Sequence, residues 1–185
     1  MSWIDEIDEE NADDKLEEVY NRIKGDRGKL SNIMKVHSLM PQAMDDHMDL
    51  YMSIMFKERS LSREMCELIG VVVSNENGCE YCVNHHAEAL NHYWDDEERI
   101  ERLKEDYKGA DLDDKKSTIV EYAVKLTNTP DKVEKVDVDN LRRAGFSDKN
   151  ILNINLVTSY FNFVNRIALG LGVEFSQKEV KGYDY

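Results

Sequence analysis

Helix-breaking residues are nearly absent from this chain: two prolines and nine glycines interrupt 185 residues. Between them, apolar side chains recur three and four positions apart, the period of an amphipathic helix. The fold class this predicts is all-α, a helical bundle. The length suits one well-buried core, so residues 1–185 are read as a single domain, with 1–40 as a peripheral N-terminal helical extension.

Along the chain, Asn11 to Lys24 places Leu16, Val19, Tyr20 and Ile23 on one face, and Gly25 is the expected stop. Ser31 to Leu39 is a short connection. Pro41 suits the first turn of a helix running to about Lys57, whose stripe Met44, Met48, Met52 and Met55 is expected to be core. Ser60 or Ser62 caps a helix with Met65, Leu68, Ile69 and Val72 on its buried side, and Asn75 to Gly78 breaks it. A helix from Cys79 to about Tyr93 follows, capped by Asn77 or Gly78. Next come a mostly solvated helix through Asp106, one over Asp113 to Thr127, and a short one over Val138 to Ala144. Ser147 caps the last and most apolar helix. The acidic, aromatic tail after Gly172 either frays or docks on a neighbouring subunit.

Residues 62–77 laid over 147–162 reveal a degenerate internal repeat, in which Ser62, Ile69, Val72, Ser74 and Asn77 meet Ser147, Ile154, Val157, Ser159 and Asn162. The second copy has Val164 and Ile167 where the first has cysteines.

A formal net charge of -14 with no compensating basic cluster disfavours nucleic acid. No apolar run reaches the roughly 20 residues of a membrane span, and the first ten residues lack the pattern of a secretion signal, so the expected location is the cytoplasm. In a reducing compartment, three cysteines with two as Cys-x-x-Cys point to redox chemistry or metal.

At 100° per residue, Cys79, Cys82 and His86 fall within a 60° arc, whereas His85 points elsewhere and reads as a surface or capped histidine. Both thiols lie in the first turns of their helix, where unpaired N–H groups favour thiolate, and His86 stands one turn beyond Cys82 as a proton acceptor. Cys82 is therefore expected to be more acidic than an ordinary thiol. Cys66, among Met65, Leu68 and Ile69, reads as an inert core thiol. Helical periodicity puts Glu67 on a polar face with Arg63, Gly70 and Ser74. The small residues at 70 and 74 would nevertheless let the cysteine helix fold back across that face, bringing Glu67 to the thiols.

Glu67, then Cys79-Glu80-Tyr81-Cys82, then His85-His86 resemble the core motif of alkylhydroperoxidase D in the carboxymuconolactone decarboxylase superfamily. The segments 61–64, 74–77, 161–166 and 170–173 resemble its peroxidase-related branch, and the similarity runs from about Pro41 to Glu174. The resemblance implies the alkylhydroperoxidase D-like helical fold and homo-oligomers, often trimers or hexamers. It also implies that Cys82 attacks peroxide, Cys79 is its disulfide partner and meets an external thiol reductant, and Glu67 and His86 relay protons. Tyr81 stands where the peroxidases commonly carry histidine, so Tyr81 and His85 are accessory candidates.

The leading reading is a thiol-dependent hydroperoxidase or disulfide reductase with no bound cofactor and no metal, served by a protein or small-molecule thiol. Zinc held by Cys79, Cys82, His86 and Glu67 in a helical oligomer is the alternative, although structural zinc sites usually draw ligands from separate turns. A superfamily decarboxylase is a further alternative, but it would not need paired cysteines.

Overall fold

The computed structural model of the protein describes residues 2–57 and 60–183, apart from the side chain of Gln177. Among these residues there are ten α-helices and no strand: α1 (Asp14–Arg27), α2 (Asn32–Lys35), α3 (Pro41–Met52), α4 (Arg63–Glu76), α5 (Glu80–Trp94), α6 (Glu97–Glu105), α7 (Asp114–Asn128), α8 (Lys135–Arg143), α9 (Asp148–Gly170) and α10 (Gln177–Val180). None is long and apolar enough to cross a membrane.

The cap chemistry explains most boundaries. Ser62 accepts the N–H of Met65 at the start of α4, and Ser147 and Asn150 form a reciprocal capping box at the start of α9. Pro41 occupies the first turn of α3, where its missing N–H is harmless. Several expected boundaries move, among them the start of α1, at Asp14 in place of Asn11, and the start of α8, at Lys135 in place of Val138. α1 runs through Gly25 and ends at Gly28, whose φ of 73° supplies the left-handed cap. The extra turn carries Arg27 into a buried position over the Phe56 ring, 4.7 Å from its centroid. At α5 the N-cap is Cys79 itself, with neither Asn77 nor Gly78 in that place, because Gly78 at φ 68° turns the chain one residue earlier. The α6 helix is mostly solvated, as expected, and buries only Ile100 and Leu103.

Helix α4 is the centre of the molecule, packed by α5, α7 and α9, with Leu68, Ile69, Val71 and Val73 fully buried. The methionine stripe behaves as core: Met44, Met48, Met52 and Met55 are buried, and the first three pack with Leu16, Val19, Tyr20 and Ile23 of α1. After Met52 the backbone widens into a π-helical turn, Ser53–Lys57, which positions the Met55 carbonyl to accept from Arg63 Nη1 at 3.3 Å.

The internal repeat has a geometric counterpart. Helix α4 packs along α9, and the equivalent residues Asn77 and Asn162 are hydrogen-bonded, Nδ2 to Oδ1, at 3.1 Å. The copies diverge one residue later: Gly78 permits the positive φ that breaks the first helix, whereas its counterpart Phe163 lets α9 continue to Gly170.

Gly70 is the closest approach in this arrangement. A Cβ there would stand 2.7 Å from the Phe161 ring and 3.2 Å from His86 Cγ. Gly70→Val is expected to lower stability by roughly 1–3 kcal/mol through overpacking, read from the urea midpoint. A midpoint equal to the parent's would contradict the close packing of α4, α5 and α9.

Candidate active site

The polar face of α4 is not exposed. Because positions 70 and 74 are small, α5 and α9 close over it, and Glu67 and Ser74 have no accessible surface at all. An isolated carboxylate would not survive there as an anion. Two partners sustain it: the Arg63 guanidinium pairs with Oε1, and His86 Nδ1 lies 2.6 Å from Oε2. Burial alone would raise the Glu67 carboxyl, but Arg63 and then His86 outweigh it and hold it below the ordinary range.

Arg63 is itself buried and anchored by Met55 O, by Tyr51 Oη at 3.0 Å, and by the Phe56 ring at 3.8 Å. With Nδ1–H donated to the carboxylate, neutral His86 keeps Nε2 as a proton acceptor. Burial lowers the pKa of His86 by more than Glu67 raises it, so the ring is poised as a base near neutral pH. Phe161 holds it edge-on, ring centroids 4.4 Å apart.

Both cysteines of the pair are free thiols in contact with each other. Their acidity is the reverse of the sequence expectation. Cys79, as N-cap, receives the side-chain S–H and then the backbone N–H of Cys82, and it lies below the ordinary thiol range despite burial. Cys82 is pushed well above that range, first by its bond to Cys79 and then by burial. The shared charge therefore rests on Cys79, first because the neighbouring Cys82 thiol donates to it.

The two cysteines are buried and line different hollows. Cys82 lines a cavity of about 80 Å³ together with Glu67, His86, Arg63, Tyr51 and Tyr160. Cys79 lines a separate surface groove with Trp3, Glu80, Gly172 and Phe175. Cys66 is fully buried in the core.

His85 is not a surface histidine. It stacks on Tyr81 with centroids 4.2 Å apart, bonds the Tyr81 carbonyl through Nδ1, and approaches Glu179 to 2.6 Å through Nε2. The Tyr81 hydroxyl accepts from Ile33 N–H and donates to Glu179, so it is engaged with the chain termini. Glu179 also receives the Tyr183 hydroxyl and Asn32 N–H, while Lys29 Nζ bonds the carbonyls of Lys178, Glu179 and Lys181. The tail thus docks on its own molecule as far as Tyr183; positions 184 and 185 lie outside the described residues.

Arg27, Lys29, Ser31, Ile33 and Met34 form one wall of the cavity, so the N-terminal segment is part of the site. Tyr160 forms another wall, its hydroxyl 2.8 Å from Nε2 of His47; burial, then His37, holds that imidazole neutral at about 3. None of Arg63, Tyr51, Tyr160 or Glu179 carried a sequence signal beyond residue type. Among the described residues, no group of three His, Cys, Asp or Glu side chains is arranged to hold a metal ion.

Residues 41–105 match the carboxymuconolactone decarboxylase family. The chain is 24% identical over 149 residues to the uncharacterized protein YdfG of Bacillus subtilis (strain 168), covering 80% of this chain and all of that one. Its fold is similar to that of a peroxidase-related protein with an alkylhydroperoxidase AhpD core from Ralstonia eutropha JMP134, at 22% identity and TM-score 0.87 over 97% of this chain and 94% of the other. A peroxidase-related protein from Silicibacter sp. TM1040 is 27% identical, with TM-score 0.83 over 96% and 91%.

The acidity order has a direct test. In a Cys66→Ser background, Cys79 left alone by Cys82→Ser is expected to form thiolate below about pH 8.5, the ordinary thiol value, whereas Cys82 left alone by Cys79→Ser titrates at higher pH. Thiolate absorbance against pH reads both midpoints, and the opposite order would return the charge to Cys82.

Proposed function

We propose that this chain, whose residues 41–105 form a carboxymuconolactone decarboxylase family domain within an alkylhydroperoxidase D-like helical fold, is a thiol-dependent hydroperoxidase, or a disulfide reductase working through the same cysteine pair. One observation carries this reading: Cys82 faces the cavity that holds the Glu67–His86 pair, while its partner Cys79 faces a different surface.

In the proposed cycle, the pair begins as a monoanion with its proton on Cys82. That proton shifts to Cys79, and the Cys82 thiolate attacks the distal peroxide oxygen. The O–O bond breaks, Cys82 becomes a sulfenic acid, and the departing alkoxide takes the proton from Cys79. The Cys79 thiolate then displaces the sulfenic oxygen and forms the disulfide, and that oxygen leaves as water with one further proton delivered through His86. Glu67 keeps His86 in the tautomer that accepts and returns protons at Nε2. The sum is one dithiol monoanion, one peroxide and one proton giving disulfide, alcohol and water. An external protein or small-molecule thiol restores the pair by attack at Cys79, the cysteine that lines the groove. A cavity of about 80 Å³ suits hydrogen peroxide or a short alkyl hydroperoxide, since a single water needs roughly 10–15 Å³. No bound cofactor enters the scheme, and its thiol chemistry suits the cytoplasm.

Replacing Cys82 with Ser is expected to abolish peroxide consumption. Cys79→Ser should allow one turnover and leave Cys82 overoxidised or in a mixed disulfide, which mass spectrometry identifies. Glu67→Gln and His86→Ala should each slow turnover by roughly a hundredfold, and Cys66→Ala should leave it nearly unchanged. Full turnover without either Cys79 or Cys82 would end the peroxidase reading.

We also propose a homo-oligomer, with a trimer or hexamer as the implied sizes. Helix α9 exposes Leu152, Leu156 and Phe163 along one side, and Leu39 and Met40 are exposed in the stretch before α3. Light scattering is expected to give a multiple of 21.5 kDa at micromolar concentration, and the monomer mass would contradict it.

A further inference from the structure

Beside the cysteine pair lies a chain of amides, Asn165 buried and Asn77 and Asn162 half-buried, that neither the proton relay nor the cavity uses. Asn165 has no accessible surface, and neither does Ser74. The Asn165 side chain lies against both sulfurs, and the Ser74 hydroxyl lies against Cys82. The backbone ties them further, since Cys79 N–H donates to Ser74 O at 2.9 Å.

The orientation of these amides can be read from groups whose roles admit no choice. Asn162 approaches the Thr158 carbonyl with one end of its amide, at 3.1 Å, and a carbonyl only accepts. The other end receives Arg166 Nη1, at 3.0 Å, and a guanidinium only donates. Asn162 therefore presents Oδ1 to Asn77, so Asn77 presents Nδ2, and that same Nδ2 also donates to Asn165 Oδ1 at 2.9 Å. The acceptor end of Asn165 is thereby consumed. Its NH2 end faces Ser74, at 3.0 Å, and the sulfurs. Ser74 accepts that bond, which leaves its own proton for Cys82.

We propose that Asn165 and Ser74 are a neutral donor pair that holds the thiolate charge of Cys79 and Cys82 in place, and that Asn77 and Asn162 are positioning residues that lock the donor face of Asn165 toward the sulfurs. The proposal rests on the reading of Cys79 and Cys82 as the working pair. Its chemistry follows from burial: a thiolate on cysteines this nearly enclosed needs hydrogen-bond donors, and neutral ones supply them without adding a further buried charge. Neither residue lines the cavity that holds His86, and neither titrates, so they hold the charge without competing for the proton that the relay must move.

The test follows the thiolate absorbance of the reduced protein against pH. The titratable groups around the pair are His86, Tyr81 and Glu80 on α5, Arg63, Cys66 and Glu67 on α4, Tyr160 on α9, and Glu174 at the groove; all stay unchanged in the variants. Asn165→Leu, close in shape but without donors, is expected to raise the first thiol midpoint by about one pH unit, roughly a tenfold loss of thiolate near neutrality. Ser74→Ala should raise it by less. Asn77→Ala, which touches neither sulfur, should also raise it by freeing the Asn165 amide to turn, an effect that simple loss of packing would not produce. Circular dichroism checks the fold of each variant; if Asn165→Leu does not fold, Ser74→Ala and Asn77→Ala decide the matter. Parental midpoints in the folded variants would overturn the proposal. Because the readout is ionisation, a protein that titrates as expected yet consumes no peroxide overturns the peroxidase reading and leaves the donor pair standing.

Discussion

A carboxylate with no accessible surface, Glu67, is the constraint on which this fold is arranged. Removing such an anion from water is unfavourable by several kcal/mol unless partners surround it, and both partners here are themselves nearly enclosed. Arg63 needs the π-helical turn after α3 to supply Met55 O, and it needs Tyr51 and Phe56 to cover its guanidinium. His86 needs α5 to cross α4 at Gly70. Three helices and one irregular turn thus converge on one side chain. Interactions of this kind add little to net stability, but removing one partner strands the others, so they fix a single arrangement of the helices around the thiols.

Much of this was legible in the sequence because helical periodicity is local. The arc shared by Cys79, Cys82 and His86 follows from their spacing, and the Ser62 and Ser147 caps from residue type next to an apolar run. The burial of Glu67 was visible only indirectly, through the small residues at 70 and 74, because a helical wheel registers polarity and not what a second helix will cover. The reversed thiol acidity escaped for a finer reason. It is set first by which sulfur accepts the S–H of the other, a contact between side chains that helical spacing does not order. Arg63, Tyr160, Asn165 and Glu179 were illegible because their partners are set by tertiary contact; Glu179 meets Tyr81 across 98 positions of chain.

The repeat shows how one scaffold can carry chemistry in one copy and support in the other. Both copies keep the serine cap, the apolar rhythm and the terminal asparagine, and the asparagines meet where α4 and α9 pack. The divergence turns on position 78 against 163. Glycine allows the positive φ that ends α4 and starts a new helix with its free N–H groups at Cys79, whereas Phe163 continues α9 as a straight prop. A helix start, and with it the means to acidify a thiol, exists in the first copy alone. The second copy answers with an amide, Asn165, one turn beyond the asparagine that the two copies share.

This division also gives the cysteine pair a direction. Cys82 belongs to a phenol-lined cavity walled in part by Arg27, Lys29, Ser31, Ile33 and Met34 and by Tyr183 of the docked tail, and Cys79 belongs to a groove near Trp3 and Gly172. The resting charge sits on the groove side, while the base sits on the cavity side. In the proposed cycle, oxidising equivalents enter at one sulfur and leave at the other, separated by a single helical turn. A peroxide small enough for the cavity need never meet the reductant, and a reductant too large for the cavity can still reach the disulfide. Had both cysteines lined the same pocket, one molecule would have had to leave before the other could bind. The one-residue placement of Cys79 at the cap, set by Gly78, therefore contributes to acidity and access together.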